Sequence, residues 1–242
     1  MKSRSKINFG NIGNLNVDDE DSLNKIYLTL DIDWVHDDIL NETIDLIEEY
    51  EVKVTWFITH QTSVIERLSA NPLFELGIHP NFNFLLDGDD RNGKNSREVV
   101  ERILEIVPQA KSVRSHALTQ NSGLMNLFSE FGLTHESNHF IPHQARMELR
   151  PWKLWNGLCK VPIFWEDDLE LMYGLNNNIT SLINLKGLKV FNFHPIHIFL
   201  NSENIERYER AKSYNQKPIE LGKLKNIDFG IRNCLLKLLE IT

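Results

Sequence analysis

Apolar positions along the chain follow two alternating rhythms. Short runs rich in β-branched and aromatic residues begin at Lys25 (KIYLTLDI), Val52 (VKVTWFIT), Glu75 (ELGIH), Ser112 (SVRSH), Leu158 (LCKVPIFW) and Leu188 (LKVFNFHPIHIF), and this composition predicts strands. Between them, apolar residues recur with helical spacing from Asp38 to Tyr50 (Ile39, Leu40, Ile44, Leu46, Ile47), from Ser96 to Val107 (Val99, Val100, Ile103, Leu104, Val107) and from Ser122 to Phe131. A charged stretch, Ser202 to Lys212, predicts a further helix after the last strong strand, and Leu86 to Asn95 reads as a polar loop. Alternating strand and helix implies parallel strands joined by right-handed crossovers. An open doubly wound sheet and a closed barrel both satisfy that rule, and an α/β barrel is the expectation.

Composition narrows this picture. The chain has 242 residues, 41% of them hydrophobic and 10% aromatic, which suits one globular α/β barrel. Residues 1–22 are polar and rich in Asn, Gly and Asp, so a loose tail or short docking arm is expected ahead of a single domain over 23–242. The net charge is −8, and the basic residues are scattered, which argues against a nucleic-acid partner. No stretch has the apolar length of a secretory signal or a membrane span, so a cytoplasmic protein is expected. Cys159 and Cys234 form neither a CxxC pair nor a framework pattern and are read as buried apolar residues.

Reactive residues collect where strands should end. Asp31 and Asp33 close the first run, His60 the second, His79 the third, Arg114 and His116 the next, Glu166 to Asp168 a later one, and His194 and His197 the last. The C-terminal strand ends of an α/β barrel are where its active site forms. Asp31 and Asp33 are two apart, so on a continuous strand both carboxylates leave the same face. Two like charges so close need a divalent cation or an arginine to stay ionised. Arg114, deep in SVRSH, needs an anionic partner, and Asp31 is the natural one. His79, after an apolar run and beside the carboxylate pair, fits a metal ligand. Pro195 should stop the last strand, leaving His194 at the barrel mouth for acid–base work and His197 in the following loop. His135, His139 and His143 are spaced four and four, but Pro142 interrupts any helix that would align them.

These segments resemble the polysaccharide deacetylase family, carbohydrate esterase family four, over roughly Lys25 to Lys212. LTLDIDW is similar to the family's first motif, ELGIHPNFN to its second, SVRSH to its third and VFNFHP to its last; RSHAL, FWEDD, FHPIHIFLNSE and RYERAK resemble its WbmS-like branch. The resemblance implies an irregular (β/α) barrel of about seven parallel strands. It makes Asp31 the catalytic base, Asp33 and His79 metal ligands, Arg114 the residue that orients the base, and His194 the acid. It also places Asn83 where the family has a second ligating histidine, a weaker zinc ligand than imidazole. The alternatives are that Asn83 coordinates, that His60 or His116 substitutes, that a harder metal is used, or that the metal is lost. His60, His116, Trp165 and Asp167 are otherwise expected on the substrate-binding side, with Trp34 and Trp165 stacking on a sugar ring and Asp167 or Asp168 tuning His194. The implied cofactor is a divalent metal, zinc first, with Mn, Co and Ni as alternatives. The implied reaction is removal of an acetyl group from an acetamido sugar of a bacterial surface polysaccharide or its precursor. The other readings are a hydrolase of another C–N bond on a small metabolite and a catalytically weakened carbohydrate-binding member of the same fold.

Overall fold

The computed structural model describes residues 8–174 and 178–241. Its nine strands are β1 (Ile26–Asp31), β2 (Val54–Ile58), β3 (Phe74–Ile78), β4 (Ser112–Val113), β5 (His135–Glu136), β6 (Trp152–Lys153), β7 (Cys159–Lys160), β8 (Trp165–Glu166) and β9 (Lys189–Phe193). They form one sheet in the order β6-β7-β5-β4-β3-β2-β1-β9-β8. Every pairing is parallel except that of β6 with β7.

The sheet curls because one extended run pairs at both of its edges. Residues 159–166 hydrogen-bond first to the β5 side (Val161 N to Glu136 O, 2.8 Å; Ile163 N to His139 O, 2.7 Å) and then to β9 (Phe164 N to Val190 O, 2.9 Å). With β7 and β8 counted as the two ends of that run, seven parallel strands surround the interior, and the expected irregular barrel is observed. β1, β2 and β9 are buried along their whole length, the pattern of parallel strands covered on both faces.

The expected helices form at Asp37–Glu48, Ser96–Leu104, Ser122–Glu130 and Ile205–Ala211. Asn95, Asn121 and Asn204 cap the last three, each side chain accepting from a backbone N–H three residues on. The strand expected from Leu188 stops at Phe193, and Pro195 opens the helix Pro195–Leu200, because proline suits a first helical position and not a ladder. His197 therefore lies in a helix, not a loop.

Of the two readings of the N-terminal segment, a loose tail or a short docking arm, residues 9–15 take the form of the second. Residues 1–7 lie outside the described residues, but Phe9, Ile12 and Leu15 are buried. Gly10 N donates to Ile26 O at 2.9 Å, Ile12 N to Thr55 Oγ1 at 3.0 Å, and His135 Nε2 meets Leu15 O at 2.8 Å. These contacts fall at the starts of β1, β2 and β5, so the segment floors the barrel. Three apolar residues in a polar stretch gave no period that would have revealed it.

Candidate active site

At the mouth, β1 ends at Asp31 and the backbone turns abruptly: Asp33 and Trp34 have φ of 35° and 55°. The period-two argument for the two aspartates therefore fails, since Asp33 is not on the strand. A left-handed non-glycine residue costs on the order of 1–2 kcal/mol, and two in succession mark a place where the surrounding structure imposes the backbone. The turn carries the Asp33 carboxylate to the histidines.

Asp33 Oδ1 lies 3.4 Å from His79 Nε2 and 3.4 Å from His116 Nδ1, and those two nitrogens are 3.3 Å apart. A tetrahedral cation with bonds of about 2.0–2.1 Å spaces its ligand atoms about 3.4 Å apart. The three atoms thus form one face of such a coordination shell. Asp33 Oδ1 is also buried without a hydrogen-bond partner, which is costly unless something else satisfies it. Burial works upward on Asp33, but the contacts with His116 and His79 hold it well below the usual carboxylate range. Burial works downward on His116, and Asp33 outweighs it.

The other aspartate has a different setting. Asp31 Oδ1 accepts from Arg114 Nη1 at 3.0 Å, and Asp31 Oδ2 accepts from Asn192 Nδ2 at 2.9 Å. Arg114 is fully enclosed; it also donates to Thr29, to Asn192 Oδ1, and to the Ser137 carbonyl and hydroxyl. Its guanidinium sits 4.4 Å from the centre of the Phe57 ring. Gly77 makes room for that ring: a Cβ there would lie 2.8 Å from it and 2.5 Å from Ser112 Oγ.

Just past β9, His194 directs Nδ1 to Asp167 Oδ1 at 2.6 Å, while its backbone N–H donates to Asp167 Oδ2 at 2.7 Å. Its free Nε2 faces Asp31 Oδ2 at 3.8 Å, Asp33 Oδ2 at 3.7 Å and Asp168 Oδ2 at 3.9 Å. Burial disfavours charge on His194, yet Asp168 and Asp167 carry its pKa well above the ordinary value. Burial likewise works upward on Asp168, but the charge of His194 and the hydrogen bond with His197 bring it down to about 2. Glu166 is pushed up to about 7 by burial, with His194 opposing and Asp31 and Asp168 adding.

The structure brings together Asp31, Asp33, His79, Arg114, His116, Asp167 and His194. His116, expected beside the substrate, stands with Asp33 and His79 as a group able to hold a metal. Asn83 begins the helix Asn83–Leu86, and its Oδ1 accepts from the Thr119 hydroxyl at 3.5 Å. His60 is half-buried against the Thr59 hydroxyl at 2.7 Å. Two expectations are corrected. Trp165 is 3% exposed, its ring 4.8 Å from that of Phe193 in the barrel wall, and offers no stacking face. Asp167 is wholly enclosed, both oxygens hydrogen-bonded to His194 and Oδ1 also accepting from Asp168 N–H, and leaves no open face. Trp34, half-buried with its ring edge-on to His116 at 5.0 Å, keeps the stacking role available. Sequence reasoning passed over Thr29 and Asn192, although Thr29 shares the β1 face of Asp31 and Asn192 lies two residues before His194 at the end of β9.

A curled parallel sheet with a carboxylate–dihistidine face beside an arginine-clamped aspartate defines a deacetylase-type fold and site. The family model described as WbmS-like polysaccharide deacetylase matches residues 28–212, and the chain belongs to that family. A crystal structure of WbmS from Bordetella bronchiseptica, a candidate polysaccharide deacetylase involved in O-antigen biosynthesis, is 39% identical, covers 96% of this chain and 97% of its own, and superposes with a TM-score of 0.91. A candidate polysaccharide deacetylase from Mycobacterium smegmatis, 15% identical over 89% of this chain and 88% of its own with a TM-score of 0.50, shares the fold alone. No curated protein matches the sequence. Among the described residues no helix is long and apolar enough to cross a membrane.

Proposed function

We propose that this chain is a metal-dependent deacetylase that removes the acetyl group from an acetamido sugar of a bacterial surface polysaccharide or its precursor. The observation that carries the reading is the triangle of Asp33 Oδ1, His79 Nε2 and His116 Nδ1, with edges of 3.3–3.4 Å, beside an aspartate that accepts from a buried arginine. His116 takes the ligand place that the family motif assigns to the position of Asn83, and the edge lengths favour zinc. The cation, when bound, supplies a Lewis acid for the acetyl carbonyl and lowers the pKa of water.

The chain's own residues do the rest. Asp31, fixed by Arg114 and Asn192, takes the proton of the attacking water. His194, oriented by Asp167 and charged by its carboxylate neighbours, delivers a proton from Nε2 to the departing nitrogen. Trp34 offers a ring face to the sugar. The link to surface polysaccharide rests on WbmS, whose described role is in O-antigen biosynthesis.

Acetate release is measured on a panel of acetylated nucleotide sugars and oligosaccharides, with protein stripped by chelator and then reloaded. Zinc-dependent release from at least one acetamido sugar is expected. If fully reloaded protein releases no acetate across the panel, the reading fails.

A further inference from the structure

Two consecutive carboxylates, Asp167 and Asp168, reach two histidines three residues apart, His194 and His197, and the two pairs are not equivalent. Asp167 spends both oxygens on His194. Asp168 spends only one: Oδ1 is held by His197 Nε2 at 2.6 Å, and His197 is fixed in turn by Ser202 Oγ at 3.2 Å from Nδ1 and by the Tyr208 ring edge at 5.1 Å. The second oxygen, Oδ2, lies 3.9 Å from His194 Nε2. The Asp168 side chain is 35% exposed, whereas those of His194 and His197 are 7% and 2% exposed. An anchored carboxylate therefore presents one oxygen to the pocket, beside the nitrogen that delivers the proton.

We infer that Asp168 Oδ2 accepts a hydrogen bond from the scissile amide N–H and then from the ammonium product, and so makes this site select N-acetyl over O-acetyl groups. The inference rests on the deacetylase reading and deepens it. A carboxylate can only accept. An amide nitrogen carries the donor it needs, and an ester oxygen does not. In the reaction, water oxygen bonds to the acetyl carbon and its proton passes to Asp31. The C–N bond then breaks with its electron pair on nitrogen, and nitrogen takes a proton from His194 Nε2. Acetic acid passes its proton to the amine before either leaves, so acetate and ammonium form in the site; Asp31 then gives up its proton to solvent and His194 takes one back. Positive charge thus accumulates within reach of Oδ2, where a charge-assisted hydrogen bond strengthens as the reaction proceeds. With an ester, the leaving oxygen meets the same carboxylate as two acceptors without a proton between them. His197 contributes by holding Oδ1 and is a positioning residue.

The test compares kcat/KM of wild type and Asp168→Asn on N-acetyl and O-acetyl forms of the same sugar. The amide-over-ester preference should fall roughly ten- to hundredfold in the variant, the range of a charged hydrogen bond, and His197→Gln should shift it in the same direction by less. Equal losses on both substrates, or a preference that does not move, overturn the inference. A binding arm keeps it separate from the reaction itself: calorimetry with glucosamine and galactosamine against glucose and galactose, under mildly acidic conditions. Tighter binding of the amino sugars that disappears in Asp168→Asn supports the role even if no acetate is ever released. Equal binding of amine and hydroxyl forms by the wild type sinks it, whatever becomes of the deacetylase reading.

Discussion

The floor and the mouth of the barrel each hold an inward-turned carboxylate, and they treat it in opposite ways. At the floor, Glu75 accepts from Gly13 N–H at 3.0 and 2.9 Å, from the Thr55 hydroxyl at 2.9 Å and from the Ser112 hydroxyl at 2.7 Å. At the mouth, Asp33 Oδ1 is buried with no hydrogen-bond partner, and its backbone is forced to a φ of 35°. A carboxylate surrounded by neutral donors of its own chain is complete and holds the fold together. One left with long contacts to two imidazoles is complete only when something else arrives.

The sharpest way to break that contrast is Asp31→Asn, which keeps shape but removes the charge at the mouth. Turnover should fall roughly 10²–10⁴-fold, the usual share of a general base. Circular dichroism should still show the wild-type fold, although leaving Arg114 buried without its anion lowers Tm. Retained turnover would take Asp31 out of the base role. Next in size is His116→Ala, assayed by metal content after dialysis and by zinc titration. A directly ligating residue should cost more than the roughly 10–100-fold in affinity typical of outer-shell partners, whereas Asn83→Ala should stay within that range. If Asn83→Ala proves the costlier substitution, the ligand assignment is reversed. A smaller effect, of another kind, is expected at the floor. Glu75→Gln should lower unfolding free energy by about 1.5–3 kcal/mol through weakened charged hydrogen bonds, measured in urea, while kcat is unchanged. A loss of kcat there would mean that floor and mouth are coupled.

Much of this contrast was legible in the sequence, for identifiable reasons. β1, β2, β3 and β9 are apolar runs bounded by breaks, so their period and length declared them. Asp31, His79, Arg114 and His194 stood out as polar residues inside or at the end of such runs. What failed was inference about direction. Asp33 was placed on the strand face, but the strand ends two residues earlier and a left-handed turn delivers its side chain. Trp165 looked available for stacking because it is part of FWEDD, yet the run that contains it closes the barrel wall and buries it. Whether the floor segment was a loose tail or a docking arm stayed open because hydrogen bonds from Gly10, Ile12 and Gly13 backbone, not an apolar period, tie it down. His116 was named both as a substitute ligand and as a residue beside the substrate, and the sequence did not decide between them: only the three-dimensional return of the segment after β4 sets its Nδ1 beside His79 Nε2.

The finest test of the mouth concerns where its proton sits. His194 has its pKa raised well above 6.5 despite complete burial, with Asp168, Asp167 and Asp33 as the raising charges. A folded-state pKa above the unfolded one means that this histidine's stabilising contribution is fully present below pH about 6.5 and is lost as pH climbs through the higher folded value. Catalysis through protonated His194 should fail on that same alkaline side. Asp167→Asn removes one of the raising charges and weakens the hydrogen bond at Nδ1, so the alkaline limb of kcat should move to lower pH, and the pH above which thermal stability declines should move with it. The paired measurement is a pH–rate profile and a pH series of Tm on both proteins. Displacement of both limbs together ties the catalytic proton to His194. A rate limb that stays in place while the stability limb moves assigns the proton to another group and leaves Asp167 a purely structural partner, as Glu75 is at the opposite end.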